Sequence, residues 1–141
     1  MAFEFGAVSL RNLEGVHPDL VKVAQRALML SETDFRVTCG VRTLEEQKKL
    51  VKAGASKTLN SMHLPQADGY AHAIDVAALL DGRVRWDWPL YRKIAAAFKA
   101  ASHDLAIPIE WGGDWKSFPD GPHFQLGRKY RPVAKIGKVA A

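Results

Sequence analysis

The spacing of apolar residues along the chain predicts three helices. From Pro18 to about Leu30 apolar side chains recur every three or four positions, with proline in the first turn, where its missing N–H costs nothing. Thr43 and Glu46 have the spacing of a capping box, which predicts a second helix through about Ala53. Asp87 is a candidate N-cap for the longest segment. The apolar stripe of that segment comprises Trp88, Tyr91, Ile94, Ala95, Phe98, Ala101 and Leu105. We expect this stripe to pack in the core and to bind no cofactor.

Shorter apolar segments with a period of two predict strands between these helices. Phe35 to Val41 alternates like a half-buried strand, and Ala73 to Leu80 is apolar enough to be largely buried. Asp81-Gly82 then predicts the turn of a hairpin. Two further short strands are expected, at Ile107 to Trp111 and at His123 to Leu126. This order of elements predicts an α+β fold, a single domain with a small, mainly antiparallel sheet flanked by helices.

Length and composition restrict the class of protein. A chain of 141 residues with 48% apolar residues is large enough to build one core. Its single cysteine, Cys39, excludes an intramolecular disulfide and is expected to be a buried, inert thiol. The N-terminus lacks the basic and apolar regions of a signal peptide, and no apolar run approaches the ~20 residues that span a bilayer. We therefore expect no stable membrane insertion and a protein that stays where it is made until something releases it.

The net charge of +5 comes from the C-terminal end. Residues 127–141 hold five of the 20 lysines and arginines and none of the 15 acids, so residues 1–126 are neutral. We interpret residues 1–126 as the functional domain and residues 127–141 as its basic tail. The tail can attract an anionic polymer or simply keep the chain soluble. Five charges are weak evidence for a nucleic-acid site, and we expect no nucleic-acid partner.

One carboxylate in the predicted buried strand needs an explanation. Asp75 is the only charge in that strand, and burying it is costly unless it is paired or bound to a metal. His63 lies in the loop before the strand, and His123 lies far downstream, three residues after Asp120. Two histidines and one aspartate can hold a catalytic zinc ion and leave a fourth position open. Asp120 is then a candidate for the general base that activates water.

Other residues near these positions have simpler interpretations. In a strand, His72 points to the side opposite the lone carboxylate, so we favour a hydrogen-bonded neighbour over a metal ligand. His17, at a helix start, and His103, on a polar helix side, are expected to be structural. Arg42 lies at a strand-to-helix junction, where it is either a surface residue or a fixed cation of the site. For His123 the alternative is a half-buried strand histidine.

Taken together, the motifs resemble a known family of zinc peptidases. Ser61-Met62-His63, Ala73-Ile74-Asp75 and Asp120-Gly121-Pro122-His123 are similar to the Ser-x-His, Ala-x-Asp and Asp-x-x-His pattern of that family. It includes VanY-like D-alanyl-D-alanine carboxypeptidases, the D-Ala-D-Ala dipeptidases of vancomycin resistance and phage L-alanyl-D-glutamate endolysins. The short endolysins are similar over nearly the whole chain, including G-V-R-T at 40–43 and G-G-D-W at 112–115. The resemblance implies a fold like that of hedgehog domains and DD-peptidases.

The resemblance also implies a role for each matching residue. Asp120 would be the general base, and Arg42 would bind or polarise the substrate near the scissile carbonyl. Ser61 and Trp115 would line the substrate site. The implied zinc ligands are His63, Asp75 and His123. The spacing of twelve residues between the first two ligands is longer than in the family motif, because residues 64–70 form an extra loop.

These residues lead to one preferred function and two alternatives. We expect a monomeric, zinc-dependent endolysin that hydrolyses the L-alanyl-D-glutamate bond of peptidoglycan stem peptides and lyses the bacterial cell wall. It would wait in the host cytoplasm until a membrane-permeabilising partner gives it access to the wall, whose anionic polymers its basic tail could contact. The alternatives are a D-alanyl-D-alanine carboxypeptidase with the same metal ligands and a non-catalytic wall-binding module with a structural zinc.

Overall fold

The computed structural model describes residues 3–130, which form an antiparallel sheet flanked by helices. The helices are α1 (Ala7–Asn12), α2 (Pro18–Leu30), α3 (Leu44–Lys52) and α4 (Trp88–Leu105). The strands are β1 (Asp34–Cys39), β2 (Ala73–Leu80), β3 (Arg83–Arg85), β4 (Ile109–Trp111) and β5 (His123–Leu126). The strand order is β1-β2-β5-β4, with β3 paired to the far end of β2, and all four strand pairings are antiparallel. The predicted α+β class is confirmed.

Alternation along the strands separates a core face from a second face. On β2 the side chains of Ile74, Val76 and Ala78 enter the core, where α2 and α4 pack against each other and over the sheet. Phe124 of β5 enters the same core and stacks on Phe98 of α4, with 3.8 Å between the ring centroids. Because neighbouring residues of a strand point to opposite faces, Asp75 lies on the face away from these helices.

Strand register brings distant residues of the second face together. Asp75 of β2 lies directly opposite His123 of β5, and Ala73 lies opposite Gln125. On its other side Asp75 pairs with Cys39 of β1, next to an irregularity between Val37 and Cys39. The second face therefore has a carboxylate at its centre, with chemically active side chains on both neighbouring strands.

Two of the predicted helices begin and end close to their expected positions. α2 begins at Pro18 and ends at Leu30, and α3 begins after a complete Thr43–Glu46 capping box. No helix within residues 3–130 is long and apolar enough to cross a membrane.

The ends of α4 differ from the prediction, although its bounds agree. Trp88 and Leu105, assigned to the buried stripe, are the first and last residues of α4 and are 42% and 37% exposed. The Asp87 side chain makes no cap hydrogen bond and instead pairs with Arg85 at 2.6 Å.

Helix α1 was missed by the sequence analysis. Its apolar residues Val8 and Leu10 are half exposed, so the segment has no periodic apolar face to recognise. What holds it is a polar contact, because the buried Ser9 hydroxyl accepts a hydrogen bond from the Val37 amide at 3.0 Å. That contact joins α1 to β1, and no local pattern predicts it.

Residues 127–130 pack on the domain. The Gly127 amide donates to the Pro108 carbonyl at 2.9 Å, and the Tyr130 hydroxyl donates to the Asp19 carboxylate at 2.9 Å. Three of the five basic residues predicted to form the tail, Arg131, Lys135 and Lys138, lie outside the described residues.

Candidate metal centre

Two histidines, one from the loop before β2 and one from β5, approach the same oxygen of Asp75. His63 Nε2 lies 3.2 Å and His123 Nδ1 lies 3.3 Å from Asp75 Oδ1. The second carboxylate oxygen, Oδ2, is 3.6 Å from Arg42 Nη2. Asp75 thus contacts the other two predicted metal ligands and the predicted substrate-binding arginine.

The side chains around Asp75 form two overlapping groups of potential metal ligands. In one, ligand atoms of Asp75, Asp120 and His123 all lie within 4.8 Å of one another. In the other, the same is true of Cys39, His63 and Asp75. The structure therefore brings the predicted base, Asp120, next to two of the predicted ligands.

Cys39 does not lie where the sequence analysis expected it. It is half-buried, and its Sγ is 3.8 Å from His63 Nδ1 and 3.7 Å from Arg42 Nη2. The cause is the irregularity after Val37, which interrupts the alternation of β1 and turns the thiol out of the core. The interpretation of Cys39 as a core thiol was wrong.

Hydrogen bonds on the far side of each imidazole fix its orientation. The Gly40 carbonyl lies 2.8 Å from His63 Nδ1, which must therefore carry its hydrogen and donate it. His63 Nε2 is then a buried nitrogen without an aligned hydrogen-bond partner among the described residues. His123 Nε2 contacts Gln125 Oε1 at 2.7 Å, which leaves Nδ1 facing Asp75. A metal ion would satisfy both inward-facing nitrogens, so these residues fit one.

Burial and charge shift the pKa values of the cluster in opposite directions. Burial lowers the pKa of His63, but the close Asp75 carboxylate and Cys39 thiol outweigh it and raise this pKa to about 10. Burial alone would raise the pKa of Asp75, but the two close imidazoles of His123 and His63 drive it far below the usual range. In the protein without metal, His63 therefore holds a proton that a cation would displace.

Asp120 is the carboxylate of the site that is easiest to protonate. Burial, followed by the nearby charge of Asp75, raises its pKa, while His123, His63 and Arg42 lower it to a smaller extent. Groups with pKa values pushed apart in this way are typical of acid–base pairs in active sites. Asp120 is thus suited to accept a proton and return it.

The cluster lies at the bottom of a cleft of about 690 Å³. One wall is the loop of residues 55–63, and the other is residues 115–120. Lys57 reaches across, with its Nζ 4.8 Å from the centre of the Phe118 ring. A cleft of this size suits a short peptide.

All predicted site residues line this cleft. The Ser61 hydroxyl accepts a hydrogen bond from the His63 amide at 3.1 Å, which shapes the loop that carries the histidine. The ring of Trp115 packs against that of His123, with 5.0 Å between centroids. Arg42 faces the cleft from the start of α3.

Two glutamines of the site were missed by the sequence analysis. Gln47 is fully buried and accepts a hydrogen bond from Arg42 Nη1 at 2.8 Å, which holds the guanidinium in place. Its own amide donates to the loop wall at Ser56 and Thr58. Gln125 contacts His123 from two positions later in β5, and this same-face spacing was the available signal.

The remaining histidines lie away from Asp75. His72 Nε2 contacts Asp68 Oδ2 at 2.7 Å, matching the expected hydrogen-bonded neighbour and anchoring the extra loop of residues 64–70. His17 accepts a hydrogen bond from the Asp19 amide at the start of α2. His103 is exposed on α4.

Known proteins are similar to this chain over most of its length. A family model described as phage L-alanyl-D-glutamate peptidase matches residues 1–128. The L-alanyl-D-glutamate peptidase of Escherichia phage T5 is 34% identical over 121 residues, which cover 85% of this chain and 87% of that protein. The enzyme of the same name from Listeria phage A118 is 31% identical over 136 residues, covering 94% of this chain and 46% of that protein.

Among solved structures, the L-Ala D-Glu endopeptidase ChiX of Serratia marcescens is 46% identical. It superposes with a TM-score of 0.81, covering 89% of this chain and 91% of ChiX. The resemblance recognised from the motifs is confirmed. The chain belongs to the phage L-alanyl-D-glutamate peptidase family.

Proposed function

We propose that the protein is an endopeptidase that hydrolyses the L-alanyl-D-glutamate bond of peptidoglycan stem peptides, using a zinc ion held by His63, Asp75 and His123. Support for the reaction comes from the relatives described above, which are all L-alanyl-D-glutamate peptidases and match most of this chain. Support for the site comes from one observation above all: two imidazole nitrogens face a single Asp75 oxygen at 3.2 and 3.3 Å, beside a cleft.

The donor set favours zinc over other cations. Two neutral imidazoles and one carboxylate are the kind of three-residue set that holds catalytic zinc, whereas magnesium and calcium prefer oxygen ligands. When bound, zinc would polarise the scissile carbonyl and make water a better nucleophile near neutral pH. The far-side bonds of His63 to Gly40 and of His123 to Gln125 keep both imidazoles in the form that binds metal.

Asp120 and Arg42 carry the remaining steps. With its raised pKa, Asp120 accepts the proton of the attacking water and passes it to the amine that leaves with D-glutamate. Gln47 holds Arg42 through Nη1, and Nη2 lies 3.6 Å from Asp75 Oδ2, so the guanidinium charge would stabilise the negative charge that develops on the carbonyl oxygen. Ser61 and Trp115 contribute to the walls that orient the peptide.

The cellular setting is part of the same proposal. A monomeric enzyme would remain in the host cytoplasm until a membrane-permeabilising partner exposes the wall to it. The basic residues after position 127 would then meet anionic polymers of the envelope.

Digestion of purified peptidoglycan with the purified protein, followed by mass spectrometry of the new termini, tests the proposed reaction. New D-glutamate amines are expected, and they should disappear with a His123→Ala control. Release of free D-alanine would instead indicate a carboxypeptidase. Wall binding without any cleavage product would indicate a binding module and would refute the proposal.

A further inference from the structure

We propose that Gln125 is a positioning residue, which selects the ring nitrogen that His123 presents to the metal. The inference rests on the proposed metal site and goes beyond it by assigning a role to a residue outside the ligand set. Gln125 and His123 lie two residues apart on β5, so their side chains share the face that carries Asp75. The position is built into the strand and does not depend on a loop.

The contact between the two side chains is short and buried. Gln125 Oε1 lies 2.7 Å from His123 Nε2, and the two residues are 1% and 6% exposed. An amide oxygen only accepts, so it favours the hydrogen of a neutral imidazole on Nε2, in competition with Asp75 Oδ1 on the other side of the ring. Nδ1, 3.3 Å from Asp75 Oδ1, then keeps its lone pair and can bind a cation.

The opposite amide orientation would have the opposite effect. With its NH₂ group against Nε2, the glutamine would force the hydrogen onto Nδ1, which would donate to Asp75 and exclude a metal. Orientation of this one amide therefore decides between a nitrogen that binds metal and one that does not.

The rest of the Gln125 amide has no evident structural use. Its Nε2 is buried without a hydrogen-bond partner among residues 3–130. Turning the amide over would leave the oxygen in that partnerless position, so either orientation has an unsatisfied polar atom. Among residues 3–130 the contact with His123 is therefore the one hydrogen bond that the Gln125 side chain makes, although buried polar groups normally satisfy all their atoms.

Two substitutions separate this role from simple packing. Gln125→Met keeps the length of the side chain but removes the acceptor, which frees the imidazole hydrogen to move to Nδ1 and bond to Asp75. Gln125→Glu keeps an acceptor that cannot turn over. Gln25→Met is the matched control, because Gln25 is an exposed glutamine on α2.

The zinc dissociation constant of each full-length variant is measured by competition with a chelator. We expect zinc binding to be about 10–100-fold weaker in Gln125→Met, and to remain within about threefold of the original protein in Gln125→Glu and Gln25→Met. Nitrogen-15 NMR of the zinc-free proteins should show hydrogen on Nε2 of His123 in the original protein and on Nδ1 in Gln125→Met. Altered packing alone would not move that hydrogen.

The outcomes distinguish this inference from the proposal beneath it. If the original protein binds no zinc, the metal site itself is refuted. If it binds zinc and Gln125→Met binds equally tightly, only the role of Gln125 is overturned. Should Gln125→Met not fold, a loss of more than tenfold in zinc affinity in Gln125→Glu would overturn the inference as well.

Discussion

Replacing Asp120 by asparagine separates catalysis from metal binding and from folding. The main chain holds this residue in place: its amide donates to the Gly112 carbonyl at 2.9 Å, and its carbonyl accepts from the His123 amide at 3.2 Å. Within residues 3–130 no hydrogen bond to the Asp120 carboxylate is present, so the isosteric change removes none. It removes the general base, and it also removes a negative charge that is disfavoured by burial and by the nearby charge of Asp75, which together raise the pKa of Asp120.

The expected magnitudes follow from these contacts. Loss of a positioned general base lowers kcat by about 10²–10⁴-fold, which corresponds to about 2.7–5.5 kcal/mol of activation free energy. The raised pKa of Asp120 means that its ionised form opposes folding at neutral pH, where the folded site holds this charge at a cost. The zinc-free Asp120→Asn protein should therefore be as stable as the original at pH 7, or slightly more so, and its advantage should vanish as the pH falls and the native carboxyl becomes protonated.

Three measurements on one preparation test this reasoning. Cleavage of a soluble stem peptide gives kcat, chelator competition gives zinc affinity, and thermal unfolding in chelator gives the stability of the zinc-free protein. Activity within tenfold of the original would show that another group is the base. Loss of zinc together with activity would show that Asp120 is a ligand.

Further changes probe the supports of the site. Removing zinc with a chelator should lower the thermal midpoint by on the order of 10 °C relative to protein at a zinc concentration 100 times its dissociation constant, as calorimetry can measure. Arg42→Lys keeps the charge, but a single ammonium group cannot both donate to Gln47 and contact the substrate. We therefore expect kcat/KM to fall by about 10²-fold in the peptide assay. The added methyl group of Gly40→Ala would overlap a main-chain oxygen of α1 and displace the Gly40 carbonyl that orients His63. We expect the free energy of unfolding, measured with denaturant, to fall by about 1–3 kcal/mol and zinc binding to weaken. Gly6→Ala is the control, because a methyl group there meets open space and should change neither quantity. Tyr91→Phe removes a buried hydroxyl that bridges two main-chain groups and should cost about 1–3 kcal/mol, with activity retained.

Local patterns were sufficient to predict most of the secondary structure. α2, β2 and the bounds of α4 follow from apolar periodicity, because a helix or strand that buries one face must repeat its apolar residues at its own period. The capping box of α3 was equally readable, since its two hydrogen bonds join residues three apart. Helix α1 and the outward turn of Cys39 were not, because a contact with β1 and an irregular strand pairing produce them.

The sequence by itself determined the elements, the α+β class and the chemical identity of the candidate site, since residue types and their order carry that information. It could suggest that His63, Asp75 and His123 act together, but only through their resemblance to a family pattern. Tertiary structure alone decided which atoms meet. Register between β2 and β5 sets Asp75 opposite His123. The Gly40 carbonyl, 23 residues before His63, orients one imidazole, and the Gln125 side-chain oxygen, two residues after His123, orients the other. Such contacts depend on how separate segments are packed, and a one-residue shift in strand register would turn Asp75 or His123 toward the core and abolish them.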